Sequence, residues 1–452
     1  MNIFYENIIE FIDNFKTELN DIKERGSVFT KTKLINKMLD LLPISVWKNP
    51  NLKWLDSGSG IGNYMVVVFF RLMKHIPIKD IEERRKHILE NMLYFVELDE
   101  NYITILKQIF CSDKYKLNIF HGSFVYLHTL DVSIKTFSKD TFNIKFNIIL
   151  GNPPYQKINS KDPSKLASKP LYPFFVDVAI NNLEEDGYLL YIHPISWRRK
   201  SKEIKIINSI LNKRLLYIYT NNNFTEFGTS APFINYYLLQ NKNYDKRYLT
   251  KYETIFNGKY YSGKIHLKND LEFIPTFLTN ETISIFNKVI NKSGNKLDVQ
   301  QEAKFTTQKG NISPNKDNTY KYLNYHTYSK KKGMIYRYSD KKHPISDKLK
   351  IILGFKGGYD CLKPFIDQGT MGITADAMRI LVTDDNKDLL LNFFQSDLLK
   401  FLLMTTIYNY GPNQKNEFYI INTFTEPNIN DFYKFYDIND NEIKFINDII
   451  KY

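Results

Sequence analysis

The stretch Leu52-Lys53-Trp54-Leu55-Asp56-Ser57-Gly58-Ser59-Gly60-Ile61-Gly62-Asn63 decides the fold. Its first five residues read as a short buried strand, its centre as a glycine-rich turn, and the apolar residues that follow, from Tyr64 to Lys74, as a helix. Strand, glycine turn and helix in that order make the first βα unit of a nucleotide-binding α/β domain, in which glycines clear side chains from where a ligand meets the backbone. The spacing is Gly-x-Gly-x-Gly, not the Gly-x-Gly-x-x-Gly of dinucleotide folds, and the carboxylate of Asp56 at the strand end would repel a pyrophosphate. A ligand with a cationic amine fits better than a dinucleotide.

Downstream, a highly charged helix from Ile78 to Met92 leads into a second strand, Leu93 to Asp99, that ends in acids. An acid at this place in such folds binds ribose hydroxyls, with Glu97 the first choice and Asp99 the second or a helix cap. A third strand, Lys116 to Phe120, runs into His121-Gly122-Ser123-Phe124, and a fourth, Phe142 to Leu150, delivers Gly151 and then Asn152-Pro153-Pro154-Tyr155. The double proline makes a rigid corner, because proline fixes φ, lacks an N–H and holds the residue before it extended. Such a corner presents the Asn152 amide, the Pro153 carbonyl and the Tyr155 ring together. Two acceptors beside an aromatic plate suit a flat substrate with an exocyclic amine, and adenine fits that description.

Further on, Leu171 to Leu183 reads as a helix, and Gly187 to Pro194, Leu215 to Thr220 and Phe233 to Gln240 read as strands. Gln156 to Lys169 reads as a polar loop over the site, and Asn221 to Ser230 as a loop carrying Phe224 and Phe227. Upstream, residues 1 to 25 have an amphipathic helical pattern, Gly26 to Lys31 is a turn, and a second helix capped by Thr30 or Thr32 runs to Pro43. After about residue 243 the alternation of strand and helix is lost. Tyrosines and lysines interleave there, 349 to 382 reads as a small β-rich region, and 389 to 405 and 431 to 452 as helices.

The net charge is +13 and the pI about 9.2, which favours a polyanionic partner. By count, residues 241 to 350 carry about 22 Lys and Arg against about 10 Asp and Glu, so nearly all of the excess sits in one segment that is also rich in aromatics. Two cysteines exclude a disulfide framework and a cysteine-based metal site, and no apolar run reaches membrane-spanning length. A protein working in the cytoplasm, that of the host if viral, is expected.

Together the glycine loop, Glu97 and Asn152 to Tyr155 resemble the S-adenosylmethionine-dependent DNA adenine-N6 methyltransferases of restriction-modification systems, in particular the gamma class with its target recognition domain at the C-terminus. The likeness covers roughly residues 26 to 240 and keeps the family's motif order. It implies a Rossmann-like α/β methyltransferase sheet with helices on both faces, plus a C-terminal α+β target recognition domain. The expected division is an N-terminal helix (1–25), a methyltransferase domain (26–243) and a basic DNA-binding domain (244–452). It implies S-adenosylmethionine as cofactor, held by Phe29 and Thr30 ahead of the glycine loop, by Asp56, Gly58, Gly60 and Gly62, by Glu97, and by Ser123 and Phe124. Ser123 stands where the family usually has an acid. The catalytic set is Asn152, Pro153, Pro154 and Tyr155, and the flipped base stacks on Tyr155 and on Phe224 or its rival Phe227. No metal is implied, and the partners are double-stranded DNA and a cognate restriction endonuclease on a separate chain. The alternatives are methylation of an RNA base or of protein glutamine, and a catalytically silent DNA-binding subunit.

Overall fold

Three buried residues, Trp54–Asp56, form β1, the strand about which the N-terminal unit is built. The structure, a computed structural model, describes residues 2–15, 30–126, 134–138, 140–158, 166–199, 205–221, 234–271, 273–292, 297–301, 305–306, 309–354, 359–406, 429 and 431–451. They form two compact units, Met1–Ile274 and Pro275–Tyr452.

In the first unit β1 is followed by β2 (Leu93–Glu97), β3 (Asn118–His121), β4 (Phe146–Gly151), a hairpin of β5 (Gln156–Ile158) and β6 (Leu166–Pro170), then β7 (Leu183–Pro194), β8 (Lys213–Asn221), β9 (Ile234–Asn243), β10 (Thr250–Phe256) and β11 (Lys259–Ile265). Nine of them make one sheet in the order β11-β10-β8-β9-β7-β4-β1-β2-β3. The pairs from β3 to β7 are all parallel, and β9 is antiparallel to both β7 and β8. The hairpin of β5 and β6 lies in the stretch that reads as a polar loop. Position 243, where the sequence loses its strict alternation, is the last residue of β9, and the sheet continues through β10 and β11.

The central strands are apolar on both sides because helices cover both faces. Phe95, Ile148, Leu150, Leu190 and Ile192 pack against Ile35, Met38 and Leu39, against Met65, Val68 and Leu72, and against Leu106, from the helices Thr32–Leu39, Asn63–His75 and Glu100–Ile109. On the other face the helix Tyr172–Asn182 stacks Tyr172 on His193 of β7 at 4.5 Å, and Phe175 meets Phe124 at 5.5 Å. Each such aliphatic side chain contributes about 1.5–3 kcal/mol when fully buried. The helix Thr32–Leu39 is capped neither by Thr30 nor by Thr32. Asp13, from the helix Asn2–Asn14, accepts from the Thr32 N–H at 2.8 Å and its hydroxyl at 2.5 Å, so the cap comes from another helix.

The second unit is α+β. One four-stranded sheet has the order β12-β19-β16-β17, from β12 (Gln300–Gln301), β16 (Leu349–Gly354), β17 (Phe365–Gln368) and β19 (Ala377–Leu381). The other has the order β13-β15-β14-β18, from β13 (Ile312–Ser313), β14 (Tyr322–Ser329), β15 (Gly333–Ser339) and β18 (Gly372–Ile373). Its longer helices among the described residues are Asn280–Asn291, Lys387–Phe394, Asp397–Thr406 and Asp440–Ile450. Among the described residues no helix is long and apolar enough to cross a membrane, no group of three or more His, Cys, Asp or Glu is placed to hold a metal ion, and Cys111 and Cys361 are both free.

Candidate active site

The sheet reverses its winding between β1 and β4, and ligands of doubly wound folds bind in the crevice at such a switch point, beyond the carboxyl ends of the strands. Parallel pairing sets Asp56 opposite Leu150, which puts Asp56 and the Gly151-Asn152 corner side by side.

Asp56 is fully buried. Its Oδ1 accepts the Gly58 N–H at 3.2 Å, while Oδ2 has no hydrogen-bond partner among the described residues. Burial pushes its carboxyl up to about 7; the Gly58 N–H opposes this and the charge of Glu97 adds to it. A buried carboxylate with an unused oxygen is a receptor for a cation or a donor.

The glycine loop is tied down on both sides. Glu97 Oε2 accepts the Gly60 N–H at 2.6 Å, and its Oε1 accepts the N–H groups of Leu98 at 2.8 Å and Asp99 at 2.9 Å. Asp99 caps the helix Glu100–Ile109, accepting from Asn101 and Tyr102. Gly62, at φ 95°, opens the helix Asn63–His75, and a Cβ there would stand 3.0 Å from the Phe110 ring. Glycine is the residue for that backbone. Ser57 and Tyr191, which the sequence reading passed over, form a latch: the Tyr191 hydroxyl donates to Ser57 Oγ at 2.6 Å.

Gly151 is where the two halves of the site touch. Its φ is 144°, and a Cβ would lie 3.0 Å from Asp56 Oδ1 and 3.4 Å from Ser57 Oγ. Across the same seam, a Cβ on Gly58 would meet Pro154 Cδ at 4.0 Å. A lone glycine closing a β-branched strand just before Asn-Pro-Pro is the signal that could have marked Gly151.

Asn152 Nδ2 donates to Thr30 Oγ1 at 3.3 Å, and the Tyr64 hydroxyl donates to the same oxygen at 3.3 Å. The Thr30 carbonyl accepts from Asn63 Nδ2 at 3.3 Å, and Asn63 Oδ1 is buried with no hydrogen-bond partner among the described residues. Pro153 is buried, and Tyr155, half-buried, packs on the core while its carbonyl accepts the Leu171 N–H at 2.9 Å. Burial raises the pKa of the Tyr155 hydroxyl well above its ordinary value, an effect that Asn152 tempers.

Ser123 and Phe124 stand off the β3 end. The Ser123 hydroxyl donates to the Val125 carbonyl at 2.7 Å and accepts the Val125 N–H at 3.3 Å, so its bonding is largely local. The Phe124 ring, 1% exposed, lies against Phe137 at 4.9 Å and Phe175 at 5.5 Å. Phe29, Phe224 and Phe227 lie outside the described residues. An open groove of about 810 Å³, lined by Lys145, Glu185, Lys213, Arg214, Lys242 and Asp245 among others, lies at the amino ends of β4 and β8 and holds none of the candidate residues.

A sheet wound in this order, with a glycine loop and a buried acid on β1, gives the first unit a Rossmann-like α/β fold. Residues 74–256, which include Glu97 and Asn152 to Tyr155, match the family described as Eco57I restriction-modification methylase. The chain is 25% identical to an uncharacterized adenine-specific methylase of Mycoplasma pneumoniae, over 46% of this chain and 65% of that one, so it spans less than two thirds of that relative. Two solved structures share the fold at 12% identity. The Type ISP restriction-modification enzyme LlaBIII bound to DNA has a TM-score of 0.53, over 98% of this chain and 40% of that one. The Type IIL restriction-modification enzyme MmeI in complex with DNA has a TM-score of 0.51, over 90% and 69%.

Proposed function

We propose that the chain transfers a methyl group from S-adenosylmethionine to N6 of an adenine rotated out of double-stranded DNA. The observation that carries this reading is the seam at Gly151, where a buried acid with an unused oxygen and an Asn-Pro-Pro-Tyr corner share one wall. The acid half fits the cofactor: Asp56 Oδ2 and Asn63 Oδ1 are buried acceptors, and a ligand bearing an ammonium group would satisfy what the protein leaves open. Asp56 and the glycine loop would hold the methionine part, and Glu97 the ribose. When bound, the cofactor supplies an electrophilic sulfonium methyl.

The corner half fits an amine. Asn152 Oδ1 and the Pro153 carbonyl accept the two N6 hydrogens, which draws the amine out of conjugation and turns its lone pair toward the methyl source. The Tyr155 ring holds the base from one side, with Phe224 or Phe227 its partner on the other. A base inside a duplex cannot reach such a corner and must be flipped. DNA is favoured over a protein substrate by the basic segment of residues 241 to 350 and by the likeness to an adenine-specific methylase.

Incubation with labelled S-adenosylmethionine and DNA, RNA or protein, followed by mapping of the label, tests the reading. Label on adenine N6 in DNA is expected. Label on RNA or glutamine alone, or cofactor binding with no transfer to any DNA, would overturn it.

A further inference from the structure

We propose that Thr30 is a positioning residue that sets which end of the Asn152 amide faces the target amine. The inference rests on the methyl-transfer reading above and adds a role that the glycine loop and the proline corner do not supply.

An asparagine amide has an acceptor at one end and a donor at the other, nearly equal in size, so a half-turn exchanges them at almost no steric cost. Only Oδ1 can accept from an amine. An Asn152 turned the wrong way would point two N–H groups at the N6 hydrogens and leave them without an acceptor. Pro153 and Pro154 fix the backbone, yet they leave this side-chain rotation undetermined.

Thr30 supplies a determinant, alongside the interaction of Asn152 with the Tyr155 hydroxyl. Its Oγ1 lies 3.3 Å from Asn152 Nδ2, across 122 positions of sequence, and takes the Tyr64 hydroxyl at 3.3 Å as well, so donors face both of its lone pairs. With Nδ2 turned to Thr30, Oδ1 lies on the other side of the amide. Thr30 is itself held: it is 6% exposed, its carbonyl accepts from Asn63 Nδ2, and its neighbours Lys31 and Thr32 bond to Asp13. The hydroxyl is thus fixed from the helix Asn63–His75 and from the helix Asn2–Asn14, and Asn152 is turned by a rigid acceptor.

The test compares Thr30→Val, which keeps the shape and removes the hydroxyl, with Thr30→Ser, which keeps the hydroxyl. Single-turnover methylation of DNA should fall about tenfold or more in T30V, and T30S should recover to within about threefold of the parent. Because the resemblance also places Thr30 among the residues that hold the cofactor, the rates are read at saturating S-adenosylmethionine, and dissociation constants for DNA should stay within about threefold throughout. In an Asn152→Asp background both side-chain oxygens are acceptors, so adding T30V should cost at most about twofold more. If T30V melts markedly lower than the parent, Thr30→Ala takes its place in the same comparison. An unimpaired T30V overturns the inference. So does a T30S as slow as T30V, or a rate loss that saturating S-adenosylmethionine restores. A parent protein that binds cofactor and labels no DNA would instead sink the functional reading, not the Thr30 inference alone.

Discussion

At the residue scale the proposed reaction rests mainly on two side chains. In the proposed reaction Asn152→Ala removes an acceptor used only when the amine is activated. Transfer should fall by at least about a hundredfold, with cofactor affinity nearly unchanged, as read by single-turnover rates and equilibrium binding. Loss of both would move the site elsewhere. Asp56 makes a pH prediction. Its carboxyl, near 3.8 in an unfolded chain, stands at about 7 in the fold, so the folded state keeps a proton that the unfolded chain gives up. The stabilisation linked to that proton is full below about pH 4 and is lost as pH rises through about 7. Asp56→Asn should therefore raise the melting temperature at about pH 8 and leave it unchanged at about pH 4. A cationic ligand needs the ionised form, so its affinity should fall about tenfold per pH unit below 7, and that slope should vanish in D56N. Titration calorimetry at several pH values reads both.

At the element scale, the strands of the parallel half were legible because each is a short apolar run that ends in glycine, acid or proline. Asp56, Gly60, Gly62, Glu97 and Asn152 stand at those ends, and parallel pairing brings the ends together. What the sequence hid has two physical causes. Half-exposed strands read as polar segments, as in Lys259–Ile265, although Asn257-Gly258, with φ values of 49° and 77°, is the primed-turn signal of a hairpin. Side chains that serve the site from within the core read as core: Tyr191 looks like packing until its hydroxyl is seen on Ser57. The Asp13 cap was hidden for a related reason, since a cap donated by another helix leaves no local signature. Gly151→Ala tests the seam between β1 and β4. A methyl group at that backbone angle, 3.0 Å from Asp56 Oδ1, should cost about 1–3 kcal/mol in denaturant unfolding and weaken both cofactor binding and transfer.

On the scale of the whole molecule a strongly basic stretch stands out within the second unit. Residues 309 to 350 carry about 11 Lys and Arg against about 3 Asp, and Lys331 and Lys332, at the tip of the β14–β15 hairpin, form no ion pair among the described residues. On a nucleic acid, surface lysines outside any ion pair would contact phosphates, which fix position without reading sequence. Reversing both, Lys331→Glu with Lys332→Glu, should weaken DNA binding about equally for all sequences and lower the salt slope of the affinity by about two, with cofactor affinity unchanged. Fluorescence anisotropy at several salt concentrations measures this. An unchanged slope would place the phosphate contacts elsewhere.

The antiparallel β9 has a consequence for biosynthesis. It lies between β7 and β8 yet follows both in the chain, so a nascent polypeptide that has emerged only through Asn221 has made two strands whose shared neighbour does not yet exist. Their bare edges stay open to other chains while the ribosome adds residues up to Asn243, about one to four seconds at ordinary elongation speeds. A stall in that window, or a stop codon within β9, should release a product that aggregates rather than a shortened enzyme.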